Sequence, residues 1–198
     1  MFDREKTTRI HPARHEALTG VYSIDPDHST IGFSVRHAMV TNVRGKFTVF
    51  EGLLKLDSRP TRSEAYLSVQ TGSFDTGSPE RDAHVTGPDF LDSATFPLMI
   101  FRSGGIVDAG DEQFPMNGLL RIKDVALPVH LGLRFGGAGR DTHGQSRIGF
   151  EGTAVIRRSD WRLDWNAALA TGGALVSDKV KLNLDISAVR LNRTKAAA

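Results

Sequence analysis

Three histidines and one Arg-Asp pair are the residues of this chain whose types carry the most chemical potential. His28, His37 and His84 come from two separate segments, and if they met at one end of a fold they would offer a metal site or a general base. A metal site needs about three or four convergent ligands with partners that hold their rings. The spacing of these histidines matches no ligand motif. The plainer expectation is that each imidazole bonds a backbone carbonyl or the Arg81-Asp82 pair at the base of a loop. His11 and His15 stand four apart, which puts two imidazoles on one helical face, but Pro12 lies between them and the order His-Glu-x-x-His is absent. Asp25, His28 and Ser29 supply an acid, a base and a hydroxyl close together, yet strand neighbours alternate faces and no nucleophile elbow surrounds Ser29. We therefore expect no catalytic residue, no metal and no cofactor.

Arg81 and Asp82 have two readings. They pin a loop, or Arg81 reaches the phosphate or carboxylate of a ligand. Both lie in Thr71 to Pro97, TGSFDTGSPERDAHVTGPDFLDSATFP, which interrupts an otherwise strand-like chain and reads as a lid. Ser78 followed by Pro79, Glu80 and Arg81 has the pattern of an N-cap, a proline at the first helical position and one or two helical turns. Gly87 and Pro88 end that turn. Asp89 to Ser93 allows a second turn bearing Phe90 and Leu91, and Phe96-Pro97 returns the chain to extended backbone.

The elements that must position these residues are strands. From Val21 onward the apolar residues recur with period two, the mark of half-buried strands. Val21 to Asp25 and Thr30 to His37 read as one strand broken at Pro26-Asp27. Gly45 to Asp57 follows, with a bend or bulge at Gly52 and with Phe47 and Val49 on the face opposite Phe50. Ser63 to Thr71, Leu98 to Asp108, Phe114 to Lys123, Ala126 to Phe135, Arg147 to Arg157 and Ser177 to Val189 complete the set. A turn is expected at Asp124-Val125, and a flexible loop over Gly136 to Gly144. Trp161 and Trp165 are expected to pack over the barrel's edge and not to serve as stacking platforms. These long strands and short links predict an all-β, eight-stranded antiparallel barrel with a short helical lid, just wide enough to be filled by its own side chains or to hold one elongated ligand.

Composition agrees. A chain of 198 residues, 39% apolar, with 20 Gly and 2 Trp, suits one core with many turns. The net charge of +2 is scattered, so nucleic acid is not an expected partner. Without cysteine there are no disulfides or thiolate ligands. No run of about 18 apolar residues occurs, so stable membrane insertion is not expected. The charged N-terminus lacks an apolar core like that of a signal peptide, which makes the cytoplasm the default location. Residues 1–19 read as a flexible extension, 20–191 as the barrel and 192–198 as a frayed tail.

The order of several short motifs resembles the YceI-like family of lipocalin-like, polyisoprenoid-binding proteins. Tyr22-x-Ile24-Asp25-x-x-His28-Ser29-x-Ile31-x-Phe33-x-Val35-x-His37 is similar to that family's opening strand, and Gly45-x-Phe47 to its second. Arg81-Asp82-x-His84, Asp89-Phe90 and Phe96-Pro97 resemble its lid; Gly118-x-Leu120, Arg158-Ser159-Asp160 and Val176-Ser177-Asp178 follow in order. One departure is clear: where the family has a histidine and a turn glycine after the fifth strand, this chain has Lys123 and Asp124. The resemblance implies non-enzymatic carriage of an isoprenoid-type lipid, a polyprenyl phosphate or a quinone tail, inside the barrel. A fatty acid or fatty amide is the alternative cargo, and a histidine-dependent metal hydrolase or redox protein a more distant one. On that reading Phe33, Val35, Phe47, Phe90, Leu91, Phe101, Leu120, Leu131, Phe150 and Leu182 would touch the tail, and His28, Arg81, Asp82 and His84 would stand near the head group. The oligomeric state is open, with a homodimer as one expectation.

Overall fold

The computed structural model describes residues 17–38, 40–106, 113–168 and 175–191. The strands are β1 (Gly20–Ile24), β2 (Thr30–His37), β3 (Thr41–Phe47), β4 (Phe50–Leu56), β5 (Glu64–Gln70), β6 (Phe74–Asp75), β7 (Leu98–Ile106), β8 (Gln113–Ile122), β9 (Val125–Arg140), β10 (Ser146–Arg157) and β11 (Val176–Arg190), with helix α1 (Pro79–Thr86) between β6 and β7. β1 and β2 are halves of one strand kinked by a 3-10 turn, Pro26–His28, whose first amide is capped by the Asp25 carboxylate. β3 and β4 are likewise two halves, and the halves pair in order, Tyr22 opposite Leu54 and Phe33 opposite Gly45.

The ring β1-β4-β5-β7-β8-β9-β10-β11 closes on β1, which makes a closed eight-stranded antiparallel barrel. With β1/β2 and β3/β4 each counted as one kinked strand and β6 left to the lid, chain neighbours are sheet neighbours around the ring, and closure leaves no unpaired edge in it. Period-two alternation puts Val180, Leu182, Leu184, Ile186 and Ala188 of β11 on the face shared with Phe33 and Ile31.

Several local expectations are corrected. Between β3 and β4, Thr48 and Val49 break the alternation, so Phe47 and Phe50 are both buried while Val49 is exposed. The bend therefore lies there, and Gly52 sits in an unbroken ladder, at a position where a Cβ would come 2.5 Å from Ile24 Cδ1. The β8–β9 turn is Lys123-Asp124, with Lys123 in the left-handed region at φ 54°. The expected loop at Gly136 to Gly139 is strand: β9 continues to Arg140, pairing Gly139 with Arg147, and a bulge shifts the register between Gly149 and Phe150. Pairing uses backbone groups that glycine keeps, so the absence of side chains did not end the strand. The lid also contains a two-residue strand, β6, which pairs with Lys46 and Phe47. His11, His15, residues 1–16 of the expected extension and the tail 192–198 lie outside the described residues.

The interior differs at its two ends. At the Asp25 end, Tyr22, Ile148 and Ala188 form a closed floor with Leu54, Leu56, Phe135 and Phe150 packed against it. Tyr22 is 1% exposed and its hydroxyl donates to the Leu18 carbonyl at 2.8 Å. The Phe135 and Phe150 rings meet edge to face, centroids 5.4 Å apart. The other end is hollow.

Candidate functional site

A cavity of about 580 Å³ occupies the barrel between that floor and α1. Its walls come from β2, β3, β5, β6, β7, β8, β9, β10 and β11, and nearly all are apolar side chains. Phe33, Val35, Phe47, Phe101, Leu120, Leu131 and Leu182 are on the wall, and Phe90 and Leu91 close it from the lid. Phe150 is not on it, since its ring belongs to the floor. Sequence periodicity selects the inward face but gives no depth along the barrel, which explains that difference. Depth also brings in wall residues not singled out from sequence, among them Val69, Phe74, Met99, Leu163 and Leu184.

The lid follows its local signals. Pro79 begins α1 and Gly87 ends it, with the Gly87 amide donating to the His84 carbonyl. Ser78 stands at the N-cap without a side-chain capping bond. Asp82 supplies the fastening instead: its carboxylate accepts the Thr76 amide through both oxygens at 3.1 Å and the Thr76 hydroxyl as well. Arg81 grips the same residue, donating from Nε to the Thr76 hydroxyl at 2.7 Å and from Nη2 to its carbonyl at 3.2 Å. The two side chains therefore hold the turn before the helix and not one another. Arg81 lines the cavity rim; Asp82 does not. The far side of the lid is tied down by Lys123, whose Nζ donates to the Phe90 carbonyl at 3.1 Å. Thr71, 1% exposed, joins the two lid stems by donating to the Phe96 carbonyl and the Pro97 carbonyl.

The histidines separate. His28 lies at the floor end, bonded to Asp25 at 2.9 Å, with all of β2 between it and His37. His37 and His84 both face the cavity at its open end. His84 bonds Asp89 at 3.2 Å and stands edge-on to Trp165, ring centroids 4.5 Å apart, and to Phe90 at 5.3 Å. The Ser29 hydroxyl is engaged in a backbone exchange with Ser187, donating to its carbonyl and accepting its amide. Trp161 and Trp165 both follow β10 at the mouth of the barrel: Trp161 is 2% exposed with Nε1 donating to the Leu120 carbonyl, and Trp165 is a wall of the cavity.

Arg158 was not expected in the site from sequence. It lines the cavity, is 7% exposed and holds the segment after β10 against the start of β11. Its guanidinium donates to the carbonyls of Leu163, Trp165, Ser177 and Val176. Burial lowers its pKa from the ordinary arginine value, while Asp178 and Asp164 pull the other way from a distance. The signal that could have found it is the Arg-Ser-Asp triplet at the end of an inward-facing strand.

The chain matches the model of the YceI-like domain over residues 22–188. A UPF0312 protein of Azotobacter vinelandii is 30% identical over 178 residues, covering 88% of this chain and 90% of that one. Another from Shewanella putrefaciens is 32% identical over 182 residues, covering 91% and 92%. Among solved structures, BcnA of Burkholderia cenocepacia superposes with a TM-score of 0.72 at 23% identity, over 83% of this chain and 98% of that one. A polyisoprenoid binding domain from Saccharophagus degradans superposes at 0.66 with 16% identity, over 86% and 98%. Since the matched domain runs from within β1 to residue 188 near the end of β11 and takes in the lid and the cavity walls together, the chain belongs to the YceI-like family.

Proposed function

We propose that this protein binds and carries one long-chain isoprenoid-type lipid, a polyprenyl phosphate or a quinone tail, in the barrel cavity, and performs no reaction on it. The observation that carries the reading is the cavity itself: about 580 Å³, closed at the floor, walled by apolar side chains and capped by Phe90 and Leu91. That volume lies in the range of ligand sites, roughly 300–1,000 Å³. The binding domain of Saccharophagus degradans, named for polyisoprenoid, shares the barrel and supports this choice of cargo. Burying about twenty tail carbons at about 0.8 kcal/mol each contributes on the order of 16 kcal/mol gross. Ordering and association costs take back a large part of that. The tail therefore supplies most of the affinity, and a methyl-branched chain suits a wall of Phe, Leu, Ile and Val.

Mass spectrometry of an organic extract of the native protein tests the reading. The expected result is an isoprenoid lipid approaching one per chain. Straight acyl chains in its place would turn the reading to a fatty-acid carrier. An empty extract, together with no uptake of polyprenol in a titration, would overturn it.

A further inference from the structure

The polar groups of the cavity are few and gather at the lid: Arg81, His84 and Arg158 on the basic side, His37 and Ser78 nearby and Glu80 as the acid. Arg158 is unlike the others. It is a buried guanidinium held by neutral carbonyls, and among the described residues no ion pair involves it. The nearby acids are committed elsewhere: Asp178 accepts the Ser159 amide at 3.0 Å and lies 3.8 Å from Arg157, and Asp164 is exposed. Four carbonyl dipoles satisfy N–H groups without forming an ion pair, and Asp178 and Asp164 offset the charge only in part and from a distance; a charge in a low-dielectric interior is costly until an anion meets it. The fork is also incompletely used. Nη2 carries two N–H groups and has one described acceptor, the Val176 carbonyl at 3.4 Å.

The surroundings fit a head group more than a water-filled pore. Phe90 lies 5.9 Å from the Arg158 guanidinium and 5.4 Å from Trp165, and His84 stands against both rings. Arg158 immediately follows β10, at the end of the barrel opposite the floor, so a lipid whose head meets it lays its tail down the apolar tube.

We infer that the cavity selects lipids with an oxyanion head group, phosphate or carboxylate, over neutral alcohols and quinones of the same chain, and that Arg158 is the residue that meets the anion. This rests on the lipid-binding reading above and narrows it to acidic amphiphiles. Arg81, spent on Thr76, shapes the rim.

The test uses the full chain and matched ligand pairs: a polyprenyl monophosphate against the same polyprenol, and a long-chain fatty acid against its alcohol, each measured by displacement of a fluorescent apolar probe. The monophosphate is expected to bind at least about tenfold tighter than the polyprenol, the gain of a charge-assisted contact. The fatty-acid pair shows whether carboxylate shares the site or phosphate alone is taken. In Arg158→Met, with folding checked by a cooperative melt, the ratio within the pair should collapse toward about one. Arg158→Lys, which keeps charge without the fork, should retain part of it. Equal affinities of wild type for both members of each pair would overturn the inference while leaving the carrier reading intact. Failure of every chain to displace the probe would overturn the carrier reading itself. An undiminished ratio in a folded Arg158→Met would place the anion elsewhere. If Arg158→Met does not fold, the wild-type ratio and the lysine variant decide the matter.

Discussion

At the floor of the barrel Arg147 joins three segments that are far apart in sequence. Its guanidinium donates to Asp25 at 2.5 Å, to Asp141 at 2.9 Å and to the Ser187 hydroxyl at 3.3 Å. The hydrogen bond from Arg147 is the main reason the Asp25 carboxyl is held below its ordinary pKa; burial opposes it, and His28 and the Asp27 amide assist. Asp141 is lowered by the same guanidinium and by the amides of Gln145 and His143. A carboxyl whose folded pKa is depressed adds stability above its unfolded value near about 4, and that stability is lost as pH falls through the folded value. Arg147→Met should therefore melt at a lower temperature than the parent at pH 7, and the gap should narrow steadily below about pH 4. Melting curves of both proteins from neutral pH to strong acid check this. A gap that keeps its size into strong acid would assign the loss to packing and not to charge.

For an element, the lid is the informative case, because a helix of eight residues is too short to be stable alone and must be held from outside. Asp82 does this from a half-buried position with both carboxylate oxygens, while Arg81 adds its bonds from an exposed one. Losing a partly buried carboxylate that satisfies an amide costs about 1–3 kcal/mol. Asp82→Ala should lower the unfolding free energy by that amount in urea denaturation. Arg81→Ala should cost less, roughly 1 kcal/mol, because solvent competes for its exposed bonds. Affinities for a polyprenol and its phosphate should fall together in Arg81→Ala, since both depend on the same rim. A variant that keeps its stability and loses only the phosphate ligand would move Arg81 into the head-group site. The Lys123 tether belongs to the same element: the side chain that departs from the family pattern donates to Phe90 and so holds the mouth residue in place.

On the scale of the whole molecule, the barrel is solid at one end and hollow at the other. The floor is packed by large rings, Tyr22, Phe135 and Phe150, whereas the upper wall is lined by residues that leave about 580 Å³ between them. Keeping such a space unfilled forgoes dispersion contacts, so filling it with protein should stabilise the chain as it removes function. Val35→Trp and Leu182→Trp place a large ring into that space from β2 and β11. Each is expected to reduce lipid uptake by at least about tenfold while the melting temperature holds or rises. Lipid at about 100 times the parent's dissociation constant should raise the stability of the parent by about 2.7 kcal/mol and that of each tryptophan variant by no more than about 1.4 kcal/mol. Uptake that survives both substitutions would mean that the ligand lies outside the cavity.

Local rules determined the strands, their inward faces and the lid, because each is written in adjacent residues. Val180, Leu182, Leu184 and Ile186 declare a buried face by alternation alone, and Pro79 with Gly87 bounds a helix wherever it lies. Closure of the ring followed from the count and length of those strands. Three features needed the tertiary structure. Phe150 and Leu182 share a periodic face, yet one plugs the floor and the other lines the cavity, since depth along the tube is fixed by the tilt and register of all eight strands together. The Gly136 to Gly139 run became strand because β10 offered it backbone partners, an interaction that side-chain patterns do not encode. Arg158, Trp165, His84 and Phe90 meet only because the segment after β10 folds back across the mouth onto the lid. Convergence of residues about 70 apart in sequence is set by the summed geometry of closed strands, not by any local repeat, and the chemistry of the mouth was therefore decided by the fold.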